Sequence, residues 1–159
     1  MDPTLRSARV IVASTRAASG QYPDKTGPVI AEWLGAQGFR VEELAVVPDG
    51  DAVGDAIRAA LGVSLVITTG GTGLSPTDAT PEQTTALLDY QIPGLSDAIR
   101  RSGLPAVPTS ILSRGVCGVA GRTLVVNLPG STGGVRDGLA VLGGVLDHAL
   151  DQIAGGDHR

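Results

Sequence analysis

Aromatic residues, lysine and cysteine are scarce in this chain of 159 residues. Phe, Trp and Tyr make up 3% of the sequence, Lys25 is the one lysine, and Cys117 is the one cysteine. A single cysteine excludes an intramolecular disulfide and a cysteine metal cluster. The formal net charge is −4 and no run of basic residues is present. With so few aromatic side chains for base stacking, we expect no nucleic-acid partner, and the charge also disfavours a membrane surface.

Long apolar runs and several familiar catalytic motifs are missing as well. No run of about 18 apolar residues occurs and the N-terminus does not resemble a signal peptide, so we expect a cytoplasmic protein. The GxxxxGK[ST], GxGxxG, GxSxG and HExxH patterns are absent. Cys117 could pair only with His148 or His158, and we interpret both histidines as solvated surface residues. The chemistry is therefore expected to depend on carboxylates and on backbone-rich loops.

Apolar strands alternate with amphipathic helices along the chain. Strands are predicted at residues 9–13, 39–47, 64–69 and 123–128, and glycines at 115, 118 and 121 indicate a hairpin before the last strand. One helix is predicted from residue 28 to a stop at 38, a second over 53–61 and a third that begins at residue 80. A short helix is predicted to end near residue 101, and a last one to span 135–153. This alternation predicts one α/β domain spanning residues 1–159, a three-layer sandwich with a mostly parallel central sheet flanked by helices.

The segment TTGGTGLSPTDATPE, residues 68–82, is the most informative part of the sequence. A buried strand ends in the loop Gly70-Gly71-Thr72-Gly73, where glycine permits positive φ and close approach to a ligand. Free N–H groups in such a turn can bind an anion. Asp78 then supplies a carboxylate, and Thr80 is predicted as the N-cap of a helix whose capping box Gln83 closes. We expect a phosphate-sized ligand and a metal-binding carboxylate at the C-terminal edge of the sheet.

Two further strands end in polar loops, after Ala13 and after Leu128. If the three strands are parallel neighbours, their loops share one edge of the sheet and form one composite site. Asp49 also follows a strand, and two carboxylates plus substrate phosphates are the usual way in which proteins hold Mg²⁺. Each carboxylate has an alternative: Asp49 could be a turn residue, and Asp78 could favour the adjacent helix N-terminus. Asp24 would join them only if its loop closes over the site.

Five segments together resemble a known family over nearly the whole chain. They are residues 68–82, SGQYPDKTGP (19–28), VVPDG (46–50), LSRGVCG (112–118) and VVNLPGS (125–131). On these the chain is identified as similar to the molybdopterin adenylyltransferases (MogA/MoaB type) of molybdenum cofactor biosynthesis, and especially to actinobacterial Mog proteins. The resemblance implies transfer of AMP from Mg-ATP to molybdopterin with release of pyrophosphate. It also implies a homotrimer and a downstream molybdate-insertion enzyme as a partner.

The resemblance also implies roles for individual residues. Asp49 and Asp78 match the family's catalytic, Mg²⁺-associated aspartates. The nucleotide and phosphate site matches Gly70, Gly71, Thr72, Gly73, Asn127, Pro129, Gly130 and Ser131. Ser14 and Ser113 match the family's molybdopterin-binding residues, and Ser113 is expected near the terminal phosphate of the pterin. Arg114, beside Ser113, is predicted from its fork geometry to be a second phosphate donor.

Two positions depart from the family pattern. Many members carry a Ser-Asp pair where this chain has Ser14 and Thr15, and many carry arginine where it has Thr77. Arg16 or Arg114 could replace the missing cation. Two other functions stay open: a non-catalytic molybdopterin-binding protein of the MoaB type, and molybdate insertion, for which related enzymes use additional domains.

Overall fold

The computed structural model describes residues 5–156, and within them one seven-stranded sheet forms the centre of the molecule. Its strands are β1 (Ser7–Ala13), β2 (Arg40–Val41), β3 (Ala45–Val47), β4 (Leu65–Thr69), β5 (Tyr90–Gln91), β6 (Cys117–Ala120) and β7 (Thr123–Leu128). The strand order is β2-β1-β4-β7-β6-β5, and β3 also pairs with β1. The pairings from β2 to β7 are parallel, whereas β6 runs antiparallel to β7 and to β5. The predicted mostly parallel sheet is confirmed.

Helices cover both faces of this sheet. They are α1 (Thr15–Ala18), α2 (Thr26–Ala36), α3 (Asp51–Ala60), α4 (Thr80–Thr85), α5 (Pro93–Arg101), α6 (Thr132–Gly143), α7 (Leu146–Ile153) and a 3₁₀ helix (Pro108–Leu112). One face packs against α2, α5, α6 and α7 in the larger apolar cluster. The opposite face packs against α3, whose Val53 and Ile57 are fully buried. The chain is thus the three-layer sandwich that the alternation of elements predicts.

The predicted strand over residues 39–47 is wrong as a single element. It is divided into β2 and β3, which pair with the two ends of β1. Ala8 is opposite Val41 and Ile11 is opposite Ala45, so four residue steps on this segment match three on β1. The extra residue breaks the ladder, as a bulge does, and the period-2 pattern of the sequence does not reveal it.

The predicted long last helix is also wrong, because it is divided into α6 and α7. The helix α6 ends at Gly143 with Gly144 as its C-cap, and α7 begins at Leu146. Two consecutive glycines favour this break, since each costs about 1 kcal/mol in a helix interior. The apolar stripe continues beyond the break, with Leu146 and Leu150 buried in the same cluster as α6.

The capping box predicted at Thr80 does not form. Ala79 is the N-cap of α4, without a side-chain capping hydrogen bond, and Thr80 is already helical. The side chain of Gln83 instead donates from Nε2 to Asp51 Oδ1 at 3.3 Å and so links α4 to α3. No helix within residues 5–156 combines the length and apolarity that a membrane crossing requires.

Candidate active site

The three polar loops lie at one edge of the sheet, as the sequence predicts. The strands β1, β4 and β7 are adjacent and parallel, and their ends lie within one residue of each other in register. Val12, one residue before the end of β1, is opposite Thr69, and Thr69 is opposite Leu128. The chain segments that leave these strands therefore start side by side. This is the position at which open α/β sheets bind ligands.

The glycine loop after β4 has a conformation that larger residues rarely adopt. Gly70 and Gly71 have φ of +90° and +69°. A Cβ on Gly70 would collide with the carbonyl oxygen of Ala13, and one on Gly71 would collide with Thr80 Oγ1. The loop is also tied to β7, because Gly70 N donates to Leu128 O at 3.1 Å. Glycine is thus needed here both for its backbone angles and for space.

The loop after β7 lies directly beside the first. Thr69 Oγ1 donates to Pro129 O at 2.7 Å, and a Cβ on Gly130 would be 3.4 Å from Gly70 Cα. Ser131 is the N-cap of α6 and its Oγ accepts from Gly134 N at 3.1 Å. The N-terminus of this twelve-residue helix therefore opens at the same edge, where its unpaired N–H groups and dipole favour an anion.

These elements surround a cleft of about 650 Å³, a size typical of small-molecule sites. Sequence-predicted residues that line the cleft are Gly70, Gly71, Thr72, Gly73, Asp78, Ser113, Pro129, Gly130 and Ser131. Residues that sequence reasoning missed come from α5, the segment after it and the first turns of α6: Ile99, Arg100, Ser102, Gly103, Val107, Thr109, Ser110, Leu112, Gly133, Gly134 and Asp137. Apart from Leu112, which begins the segment LSRGVCG, none of these residues stands in a motif, so only the tertiary structure reveals them.

Arg100 holds the wall of the cleft that contains Ser113. Its Nη1 donates to Gly115 O at 2.7 Å and to Ser113 O at 3.4 Å, and its carbonyl oxygen accepts from Ser110 Oγ at 2.7 Å. Arg100 is the one arginine or lysine side chain among the described residues that line the cleft. Its Nη2 also donates to Asp97 Oδ1 at 2.5 Å, so both terminal nitrogens of this guanidinium have protein acceptors.

The two candidate metal-binding carboxylates approach the glycine loop at different residues. Asp49 Oδ1 is 3.1 Å from the position of a Cβ on Gly71, and Asp78 Oδ2 is 2.8 Å from that of a Cβ on Gly73. Two residues along a chain, Cα atoms are at most about 7.6 Å apart, so the two carboxylates lie close to one short segment. Asp78 lines the cleft, whereas Asp49 is not among the described residues that do.

Asn127, predicted for the nucleotide site, is almost fully buried and has its hydrogen-bonding groups engaged by the protein. Its Nδ2 donates to Thr68 Oγ1 at 2.9 Å and to Thr84 Oγ1 at 3.0 Å. Its Oδ1 accepts from Val116 N at 3.1 Å. The side chain thus joins β4, β7 and α4 beneath the cleft, and its geometry supports a positioning role.

Ser14 and the two candidate substitute cations also have protein partners. Ser14 Oγ caps α1 by accepting from Ala17 N at 3.2 Å. The guanidinium of Arg16 lies 5.3 Å from the ring centroid of Tyr22. Arg114 donates from Nε to Gly73 O, from Nη2 to Asp78 O and from Nη1 to Glu82. The fork of Arg114 therefore binds protein acceptors, and its predicted contact with a phosphate stays a prediction.

Two pKa shifts are relevant to the site. The hydrogen bond from Arg114 lowers the pKa of the Glu82 carboxyl, and the same contact raises the pKa of Arg114. Burial raises the pKa of the Cys117 thiol to about 12, and His148 is exposed on α7. The other candidate partner, His158, lies outside the described residues. Cys117 with His148 is therefore no nucleophilic pair.

Fold and cleft define an α/β protein with a ligand site made of glycine-rich loops at the carboxyl edge of its sheet. Residues 9–148 match the family model described as "Probable molybdopterin binding domain". The chain belongs to this family. The solved structure of the molybdopterin biosynthesis Mog protein from Mycobacterium ulcerans is 68% identical, with a TM-score of 0.90 over 93% of this chain and 99% of that one. The predicted likeness to actinobacterial Mog proteins is confirmed.

Curated relatives differ in length. The molybdopterin adenylyltransferase of Escherichia coli K12 is 38% identical over 86% of this chain and 72% of its own length. The molybdenum cofactor biosynthesis bifunctional protein of Synechococcus elongatus is also 38% identical, over 95% of this chain. The chain spans only 48% of that bifunctional protein.

Proposed function

We propose that this chain is a molybdopterin adenylyltransferase, which transfers AMP from Mg-ATP to the phosphate of molybdopterin and releases pyrophosphate. One observation carries the proposal: two glycine-rich loops and the N-terminus of α6 meet at a single cleft, with Asp49 and Asp78 against one of the loops. The family to which the chain belongs and its curated adenylyltransferase relative support the same reaction. We propose that residues 1–159 form one molybdopterin-binding domain.

The phosphates of ATP would bind where backbone N–H groups point into the cleft. The loop at residues 70–73 and the first turn of α6 line the cleft from two sides. Two of their N–H groups are used by the protein, since Gly70 N donates to Leu128 O and Gly134 N donates to Ser131 Oγ. Gly130 and Ser131 line the cleft between these two elements. The oxygen of the Ser131 hydroxyl accepts from Gly134 N, so its proton remains available for donation to a ligand. Backbone donors suit this task, since they are fixed before the ligand arrives and cost little reorganisation.

Magnesium fits the two carboxylates by donor chemistry. Within residues 5–156 no group of three or more His, Cys, Asp or Glu residues is placed to hold a metal. Mg²⁺, however, is commonly held by one or two carboxylates together with substrate phosphates and waters. Asp49 uses Oδ2 with Thr15, and Asp78 uses Oδ2 with Ser75 N, which leaves Oδ1 of each for a metal. A bound Mg²⁺ would neutralise charge on the transferred phosphoryl group.

Molybdopterin would bind on the opposite side, against Ser113, Ser102 and Arg100. Ile99, Val107 and Leu112 provide apolar surface there for a planar ring. A phosphate oxygen of molybdopterin forms a bond to the α-phosphorus of ATP, and the bond from that phosphorus to the bridging oxygen breaks, so that pyrophosphate leaves. The acceptor oxygen is already an anion, and positioning with charge neutralisation therefore suffices without a protein nucleophile. The one cysteine thiol, that of Cys117, is buried away from the cleft surface, which agrees with a reaction that uses no protein nucleophile.

The resemblance to the family is the one support for the proposals about assembly and setting. We propose a homotrimer in the cytoplasm that passes adenylylated molybdopterin to a molybdate-insertion enzyme. Molybdate insertion by this chain itself would require domains beyond the one described here.

Turnover with molybdopterin and Mg-ATP tests the proposal directly, with adenylylated pterin as the product measured. Asp49→Asn and Asp78→Asn should each lower the rate about 10²–10³-fold, the usual cost of losing one transition-state contact, and leave molybdopterin binding intact. Tight molybdopterin binding without any product in the unaltered protein would contradict the proposal and support the non-catalytic binding function. Full turnover by Asp49→Asn would contradict the metal role of that carboxylate.

A further inference from the structure

We propose that Arg114 is a positioning residue that ties Asp78 and the glycine loop to the molybdopterin side of the cleft, and that it does not bind phosphate. The inference rests on the proposed function and adds a residue to it. The carrying observation is that one guanidinium group makes hydrogen bonds to both ends of the segment between Gly73 and Asp78.

The contacts of Arg114 use its backbone and all three guanidinium nitrogens. Its backbone N donates to Thr72 O at 2.7 Å. Nε donates to Gly73 O at 2.9 Å, and Nη2 donates to Asp78 O at 3.0 Å. Nη1 donates to both carboxylate oxygens of Glu82, at 2.7 and 3.0 Å. A planar fork with fixed directions can satisfy these three acceptors together, whereas a lysine ammonium would satisfy them less well.

The segment between the two tied carbonyl groups has little else to hold it. Residues 74–77 are all exposed, and the exposed fraction of Leu74 reaches 65%. Their described hydrogen bonds are local: Asp78 N donates to Ser75 O at 2.9 Å, and Ser75 N donates to Asp78 Oδ2 at 3.3 Å. On the far side of Asp78, Thr80 N donates to Gly71 O at 3.1 Å. Arg114 therefore supplies the side-chain contacts that hold Asp78 against the glycine loop, beside this one backbone contact.

The position of Arg114 in the chain connects this clamp to the other side of the cleft. Ser113, its immediate neighbour, lines the cleft, and the carbonyl oxygen of Ser113 accepts from Arg100. Arg114 N also donates to Thr72 O at 2.7 Å, which ties the backbone beside Ser113 to the glycine loop. The wall that would hold molybdopterin is thereby connected to the carboxylate that would hold the metal.

Glu82 completes the arrangement by orienting the guanidinium from α4. The hydrogen bond lowers the pKa of its carboxyl, so Glu82 is ionised at neutral pH and accepts from Nη1 through both oxygens. Glu82 is exposed and does not line the cleft among the described residues, so any effect of changing it on catalysis must act through Arg114.

The experiment compares Arg114→Lys and Glu82→Gln with a matched surface pair, Arg58→Lys and Asp55→Asn. Arg58 and Asp55 form an exposed ion pair on α3, with Nη1 and Oδ1 3.4 Å apart. Four quantities are measured for each variant: kcat, the Mg²⁺ concentration at half-maximal rate, the Kd for molybdopterin without ATP or metal, and hydrogen exchange of the backbone amides over residues 73–79.

We expect Arg114→Lys to lower kcat about 10²-fold, since a misplacement of about 1 Å can have that cost. Its half-maximal Mg²⁺ concentration should rise severalfold, exchange over residues 73–79 should become at least tenfold faster, and the Kd for molybdopterin should stay within twofold. Glu82→Gln should change the same quantities in the same direction but by less. Because this variant keeps Arg114 and its contacts to Gly73 and Asp78, it tests the inference even if Arg114→Lys does not fold. The pair on α3 should change none of them.

Two results would overturn the inference. A tenfold weaker Kd for molybdopterin in Arg114→Lys with unchanged Mg²⁺ dependence would make Arg114 a phosphate ligand, as its sequence context suggests. Unchanged exchange over residues 73–79 would remove its positioning role. If the unaltered protein binds molybdopterin without turnover, the proposed reaction fails, and faster exchange in Arg114→Lys alone would still establish the clamp.

Discussion

Thr15 and Asp49 exchange two hydrogen bonds at the carboxyl edge of the sheet. The Thr15 hydroxyl donates to Asp49 Oδ2 at 3.2 Å and accepts from Asp49 N at 3.1 Å. The pair connects the residue after the cap of α1 to the turn after β3. The neutral hydroxyl of Thr15 thus holds the candidate metal-binding carboxylate in place.

From these two hydrogen bonds we predict that Thr15 affects the rate by positioning the Asp49 carboxylate. Thr15→Val keeps the shape of the side chain and removes both hydrogen bonds. We expect kcat to fall about tenfold, while the free energy of unfolding falls by about 1–2 kcal/mol, as is usual for the loss of two hydrogen bonds. Steady-state kinetics and urea unfolding measure the two quantities. Thr15→Ser retains the hydroxyl and should keep the full rate, and an equal loss in both variants would contradict the prediction.

Gly71 is predicted to tolerate no side chain. Gly71→Ala would place a Cβ against Thr80 Oγ1 at a residue with φ of +69°. Gly62→Ala is the matched control, because Gly62 has φ of +113° with nothing near the position of a Cβ. The control should lose about 1–2 kcal/mol of stability, the cost of positive φ alone. Gly71→Ala should lose clearly more stability than this control and should also lose turnover. Equal urea midpoints for the two variants would contradict the prediction.

Cys117 is predicted to be unreactive in the folded protein. Its side chain is 1% exposed, and burial raises the pKa of the thiol from 9.0 to about 12. Ellman's reagent should therefore react only as fast as the protein unfolds, and at the normal thiol rate in denaturant. Because the folded-state pKa lies above the unfolded one, this thiol contributes stability below about pH 9 that is lost as the pH rises toward 12. Rapid modification of the native protein would contradict the prediction.

Asn127 is predicted to affect stability more than ligand binding. Asn127→Leu is similar in volume, and it leaves Val116 N and the hydroxyls of Thr68 and Thr84 without their partner. Leaving buried polar groups unpaired costs about 1–3 kcal/mol for each group, so we expect a loss of at least 2 kcal/mol in urea unfolding. The Kd for ATP should remain within about threefold, measured under conditions where the variant is folded. A selective loss of ATP affinity with unchanged stability would show that Asn127 binds the nucleotide directly.

Local patterns were sufficient to predict the centre of the fold and half of the site. The strands β1, β4 and β7 are rich in Val, Ile and Leu and are followed within two residues by glycine or serine, and this pattern indicates both their type and their shared edge. The division of residues 39–47 into β2 and β3 depends instead on one extra residue in the pairing with β1. No period in the sequence marks such a residue, because the partner strand decides where it is placed.

The other half of the cleft depends on contacts between residues far apart in the chain. Arg100 reaches the site because α5 packs beside α6 and the segment after α5 folds back over it, with Val107 N donating to Gly103 O at 2.7 Å. The sequence places Arg114 beside Ser113 but says nothing of its acceptors, which lie 32 to 41 residues earlier in the chain. Side-chain type predicted what Arg114 can bind, and only the fold decides what it does bind.

The contact between Gly70 and Gly130 has a consequence for how this sequence can change over generations. A Cβ on Gly130 would lie 3.4 Å from Gly70 Cα, which is an ordinary van der Waals distance. A Cβ on Gly70 would instead collide with the carbonyl oxygen of Ala13 on β1. Substitution is therefore more restricted at residue 70 than at residue 130, although the two loops lie side by side.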